Sequence, residues 1–122
     1  MISMKRDMDL IRALLLALER DEDNPPEVAK YQPKEVAYNA ALIIEAGLAE
    51  GVIAEGGFNE IMRADLDRLT WAGHDFIEAA REETLWKKAK EKVMKPGASF
   101  TFEIVKEWLK AEIRTRFGGL DS

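Results

Sequence analysis

The chain contains no cysteine and a single histidine in 122 residues. The first absence excludes a disulfide framework and any thiolate metal site or thiol nucleophile. The second leaves His74 without a partner imidazole for a zinc site or a His-based relay. Long apolar runs are also missing. Leu14-Leu15-Leu16 is too short for a signal core or a membrane span, so a cytoplasmic protein without membrane contact is expected. Positive charge is in deficit, with 18 Lys and Arg against 23 Asp and Glu and a net charge of −5. Phosphate neutralisation needs cations, so non-specific nucleic-acid binding by the whole surface is disfavoured, and only a local basic patch is left for it. What is present is the composition of a soluble globular domain, 47% hydrophobic and 34% charged. Its length suits one domain with one core.

Apolar spacing and stop signals divide the chain. Ile11, Leu14, Leu15 and Leu18 recur at helical intervals and predict a helix over 7–20, with Asp7 and Asp9 at its start. The acidic, proline-bearing run Asp21-Glu22-Asp23-Asn24-Pro25-Pro26 ends it, and Val28 to Tyr31 is read as a short extended piece. A second helix is expected from Pro33, with Val36, Ala40 and Ile43 as its core stripe, a Gly47 cap and Leu48 folded back beyond it. Val52 to Glu55 and Ile61 to Leu66 flank Gly56-Gly57 and predict a hairpin. In its second strand Met62, Ala64 and Leu66 should be buried and Arg63, Asp65 and Asp67 wet. Thr70 should cap a helix carrying Phe76, Ile77 and Ala80, continuing or restarting through Trp86, Ala89 and Val93 to the stop at Lys95-Pro96-Gly97. A last helix from about Ser99 or Thr101 should bury Ile104, Val105, Trp108, Leu109 and Ile113 and end at Gly118-Gly119.

Helix, glycine cap, hairpin and capped helix in that order read as a winged-helix-like α+β fold. It is expected as a single domain over 1–122, with a core at about 5–95 and a C-terminal helical extension at about 98–117. Met4-Lys5-Arg6-Asp7-Met8-Asp9-Leu10-Ile11-Arg12 opens a wider resemblance. It continues through Glu35-Val36-Ala37-Tyr38, Ile44-Glu45-Ala46-Gly47-Leu48, Leu69 to Phe76 and the Trp86 segment. Together these blocks resemble a family of small uncharacterised proteins of bacterial phages and prophages, from Met4 to about Leu109. Met4, where the match begins, is a candidate start. The resemblance implies a winged-helix-like fold and a bacterial or phage origin, and it implies no activity.

In such a fold the helix over 33–46 would be the one presented to DNA. Matching on Ala46-Gly47-Leu48 turns Ala37, Tyr38, Asn39, Ala41 and Leu42 outward. Asn39 suits an adenine edge and Tyr38 a phosphate, with Lys34 and Leu42 beside them and Arg63 or Arg68 reaching from the wing. Against this stand Glu35, Glu45, Glu55, Glu60, Asp65 and Asp67, which repel a phosphate backbone. A protein-interaction module that keeps the fold and meets a partner through its apolar outer helix is the competing reading. Lys87, Lys88, Lys90, Lys92 and Lys95 form a second candidate basic patch, or else an ordinary solvated helix face. Trp108 and Leu109 are candidate self-association residues in a homodimer, or else core. Asp21-Glu22-Asp23 lacks the alternation and central glycine of a calcium loop. No GxGxxG, Walker, GxSxG or HExxH pattern occurs, so neither an enzyme nor a cofactor is expected.

Overall fold

The computed structural model describes residues 4–118. Among them the chain is α+β, with six helices and one two-stranded antiparallel hairpin. It forms two compact units, Met1–His74 and Asp75–Ser122.

In the first unit, α1 (Met8–Arg20) begins where the Asp7 carboxylate accepts the Leu10 N–H at 3.1 Å. It buries Leu10, Ile11 and Leu15 completely. Asp21 ends it in the left-handed region at φ 56°, with its N–H and that of Glu22 returning to the last turn. The segment expected to be extended is instead a one-turn helix, α2 (Pro26–Ala29). Pro26 stands at its first position, where the missing N–H costs no hydrogen bond and the fixed φ suits a helix. Val28 from this turn joins Leu10 and Ala13 in an apolar cluster with Leu14, Tyr31 and Val36 against it.

The next helix, α3 (Pro33–Glu45), opens with a capping box between Gln32 and Glu35. Its end is a Schellman turn. The Leu48 N–H donates to the Ile43 carbonyl and the Gly47 N–H to the Ile44 carbonyl, both at 3.0 Å. Gly47 adopts φ 77°, a conformation that glycine takes without a side-chain clash.

Strands β1 (Ala49–Glu55) and β2 (Ile61–Leu69) pair from Ala49 with Leu69 to Glu55 with Ile61, with irregularities after Glu50 and Ala54. They are joined by a 3₁₀ turn over Gly57–Asn59. The expected alternation holds for Ala64 and Leu66, which are half-buried, and fails for Met62, which is 64% exposed. Met62 falls at the second irregularity, where two residues of β2 face one of β1 and the strict period of two is lost. Helix α1 packs on α3 and β2, and α3 packs on both strands.

Thr70 ties the turn after α3 to the start of the next helix, α4 (Trp71–Ala80). Its hydroxyl donates to the Gly47 carbonyl at 2.6 Å and accepts the Gly73 N–H at 3.1 Å, capping α4. The backbone there approaches so closely that a Cβ on Gly73 would run into the Leu48 carbonyl oxygen.

In the second unit the helical pattern restarts rather than continues. Glu82 caps α5 (Glu83–Lys92), its carboxylate accepting the Leu85 N–H at 2.7 Å, and that bond holds its pKa below the usual range. Helix α6 (Phe102–Gly118) starts where the Thr101 hydroxyl accepts the Ile104 N–H, and it packs on α5. Phe76 is fully buried and meets Trp86 and Phe102 edge-on, at centroid distances of 6.3 and 5.5 Å. Val105 and Leu109 are fully buried, whereas Ile104, expected in the core, is 49% exposed. Trp108 and Ile113 are half-buried. Gly119 of the expected terminal stop lies outside the described residues.

Candidate interaction surface

The residues proposed for a nucleic-acid face do not all share a face. Asn39 is 1% exposed. Its amide oxygen accepts the Asp7 N–H at 2.8 Å, and its amide nitrogen donates to the carbonyls of Lys5 at 3.3 Å and Glu35 at 3.0 Å. Both amide protons and the amide oxygen are engaged inside the protein and the side chain is buried, so Asn39 is a structural clamp on the entry to α1 and not a base reader. Ala37 and Ala41 are also buried, which corrects the expectation that they face outward. What α3 presents is narrower: Lys34, Glu35 and Glu45 exposed, Tyr38 and Leu42 half-buried.

The three cations of this surface are each matched by a carboxylate. Lys34 lies 3.4 Å from Glu60 at the end of the hairpin turn. Arg63 lies 2.8 Å from Asp65, and Arg68 2.8 Å from Glu50 on the facing strand. Such exposed pairs add little to stability. They do cancel local positive potential, so a phosphate approaching any of the three must compete with a carboxylate already in place.

The hairpin also exposes apolar side chains. Phe58 at its tip is fully solvent-exposed and sits at φ 61°. Val52 is 61% exposed, and Trp71, just beyond the hairpin, 87%. With Met62 they are the exposed large apolar side chains among the described residues of the first unit. Val52, Phe58 and Met62 are not read from the sequence as contact residues. The signal that would have found Phe58 is its place in the Gly56-Gly57-Phe58 turn, since an aromatic between two strands of a lone hairpin has no core to enter.

The lysine patch lies on α5 and just after it. Lys87, Lys88, Lys92 and Lys95 are exposed and Lys90 is half-buried. Lys88 stands 3.7 Å from Glu112. On α6 the cations serve packing instead, with Lys110 and Lys106 at 2.9 and 3.2 Å from Asp75. These two ammonium groups hold the Asp75 carboxyl below the usual carboxylate range, Lys110 first. Leu109 is fully buried and therefore does not offer a self-association surface, which corrects that expectation; Trp108 beside it keeps partial exposure. His74 is exposed, and Glu78 one turn along reaches Arg81 at 3.4 Å. Among the described residues no group of three or more His, Asp or Glu is placed to hold a metal ion, and no helix is long and apolar enough to cross a membrane.

A two-unit α+β chain with a paired-charge helix face and an apolar hairpin tip is the class that these features define. Residues 5–99 match a family described as hypothetical protein (DUF2513), and the chain belongs to that family. An uncharacterized protein of Haemophilus influenzae is 30% identical over 109 residues, which span 85% of this chain and 91% of that protein. No solved structure matches the chain.

Proposed function

We propose that this chain is a protein-interaction module on a winged-helix-like frame. In this reading α1, α2 and α3 stand for the three helices of that fold and β1 with β2 for the wing. The wing contacts a protein and not DNA. One observation carries the choice. Each cation of the would-be DNA face, Lys34, Arg63 and Arg68, already has a carboxylate within 3.4 Å, while Val52, Phe58, Met62 and Trp71 lie open to solvent. Aromatic and methionine side chains are enriched at protein interfaces, and their desolvation is what a partner gains from. A cysteine-free chain suits a reducing, cytoplasmic setting, and the resemblance to phage and prophage proteins supports a bacterial or phage context for this reading.

DNA binding is the second reading. Its favouring observation is the lysine series on α5, where Lys87, Lys92 and Lys95 make no ion pair among the described residues. Fluorescence anisotropy of labelled random duplex DNA, titrated with the full chain at low and then rising salt, separates the two. The protein reading expects no saturable binding at low salt. Binding that weakens steeply with salt overturns it, because contacts to phosphate release counterions.

A further inference from the structure

Between α1, α2, α3 and β2 the first unit holds an open cleft of about 260 Å³. Leu14, Leu18, Val28, Val36 and Leu66 give it an apolar floor. Every charged residue that lines it is acidic: Asp21, Glu22 and Asp23, followed by the neutral Asn24 and Pro25, and Asp65 and Asp67 from β2. Glu22 is engaged by Arg20 and Asp65 by Arg63. Asp21, Asp23 and Asp67 have no cationic partner among the described residues. The rim is fixed rather than loose. The N–H groups of Asp21 and Glu22 are bonded back to Leu18 and Ala17 at 3.2 and 2.9 Å, and Pro25 is buried.

We infer that this cleft docks a basic, apolar-anchored peptide segment of a partner protein. The occupant's chemistry follows from the two layers of the site. An apolar side chain fills the floor and removes it from water. Lysines or arginines beside that anchor meet Asp21, Asp23 and Asp67, charges which no cation among the described residues neutralises. Nucleic acid and anionic lipid are repelled by the same rim. The carboxylates do not converge on a metal ion, and a polyamine would satisfy the rim while leaving the floor wet. The lysines of α5 in a second copy are a poor match, because Leu85, Trp86 and Ala89 are buried and leave that face without an anchor. The inference stands apart from the hairpin surface and does not depend on it.

The test is anisotropy of the full chain against a short labelled peptide with a central leucine pair flanked by lysines. Two control peptides carry glutamate for lysine, or serine for leucine. Saturable binding of the first peptide alone is expected. The double variant Asp23→Asn with Asp67→Asn should weaken it about fivefold, as two exposed ion pairs would. Both carboxylates are exposed and unpaired, so this variant keeps its fold, which its unfolding midpoint checks. Phe58→Ser should leave peptide binding unchanged, which keeps this result independent of the hairpin's role. Equal binding of the glutamate or the serine peptide overturns the proposal, as does an unaltered affinity in the double variant or no saturable binding at all. Self-association of the free protein that the double variant abolishes would assign the cleft to a second copy and also overturn it.

Discussion

The two compact units hold their cores by different means. The first unit is acidic, with eight Lys and Arg against fourteen Asp and Glu up to His74; the second is near neutral, with ten against nine. In the first unit the side chains that tie distant segments together are uncharged and bond to backbone, the Asn39 amide and the Thr70 hydroxyl, beside the Gly47 turn. In the second they are an edge-on aromatic group around Phe76 and the Asp75 carboxylate between two lysines. This contrast shows where charge is free to act. The first unit pairs Arg20, Lys34, Arg63 and Arg68 with its own carboxylates and keeps an acidic surplus at the cleft. The second carries the lysine series of α5. A polyanion therefore finds little to bind in the first unit, the part that we read as winged-helix-like.

Four substitutions probe the contrast between the units, in order of decreasing effect. Phe76→Ala removes a ring that touches both Trp86 and Phe102, and should cost about 3–5 kcal/mol in urea unfolding. Segment-resolved hydrogen exchange should show the greatest loss of protection in α5 and α6; the greatest loss in α1 and α3 would break the contrast. Asn39→Leu keeps the branched shape with bulkier methyl ends but strands the Asp7 N–H and the Lys5 carbonyl, and should cost at least about 2–3 kcal/mol. A loss below about 0.5 kcal/mol, the range of a surface change, would mean that the clamp is not structural. Thr70→Ala should cost about 1 kcal/mol as a lost N-cap, with Thr70→Ser recovering most of it. Equal losses in the two variants would show that the hydroxyl is not what matters there. The smallest effect is one of pH. Asp75 has a lowered pKa when folded, owing to Lys110 and then Lys106. A lowered carboxylate pKa means stability that is present above the unfolded value and lost as pH falls through the folded one. The midpoint of unfolding should therefore drop below about pH 4. Asp75→Asn should flatten that acid limb, and an unchanged limb would show that other carboxylates govern it.

Much of this fold was legible because its signals are local. Asp7, Gly47, Thr70 and Thr101 each cap a helix end through atoms within a few residues, near the ends that the pattern predicts, with Thr101 and not Ser99 starting the last helix. Helix α2 was missed because one turn is too short to show a period, although Pro26 and Glu27 are ordinary helix-start residues. Asn39 was misread for the opposite reason. A polar residue on a helix is usually wet, and its partner at Asp7 lies 32 residues away. Ile104 shows that an apolar stripe can be wider than the face it buries. The candidate surfaces were the least legible part. That Lys34 meets Glu60, or that Asp21 and Asp67 share one rim, depends on how α1, α3 and β2 come together, and no spacing in the sequence reports it.

The most direct measurement places a photoreactive phenylalanine analogue at position 58 and irradiates cells that produce the chain. Adducts are then sorted by nuclease treatment. Contact of the hairpin with a protein predicts discrete, nuclease-resistant adducts that disappear when Met62 and Val52 are also replaced by serine. Adducts that nuclease digestion removes would contradict the account and return the hairpin to the role of a DNA-contacting wing.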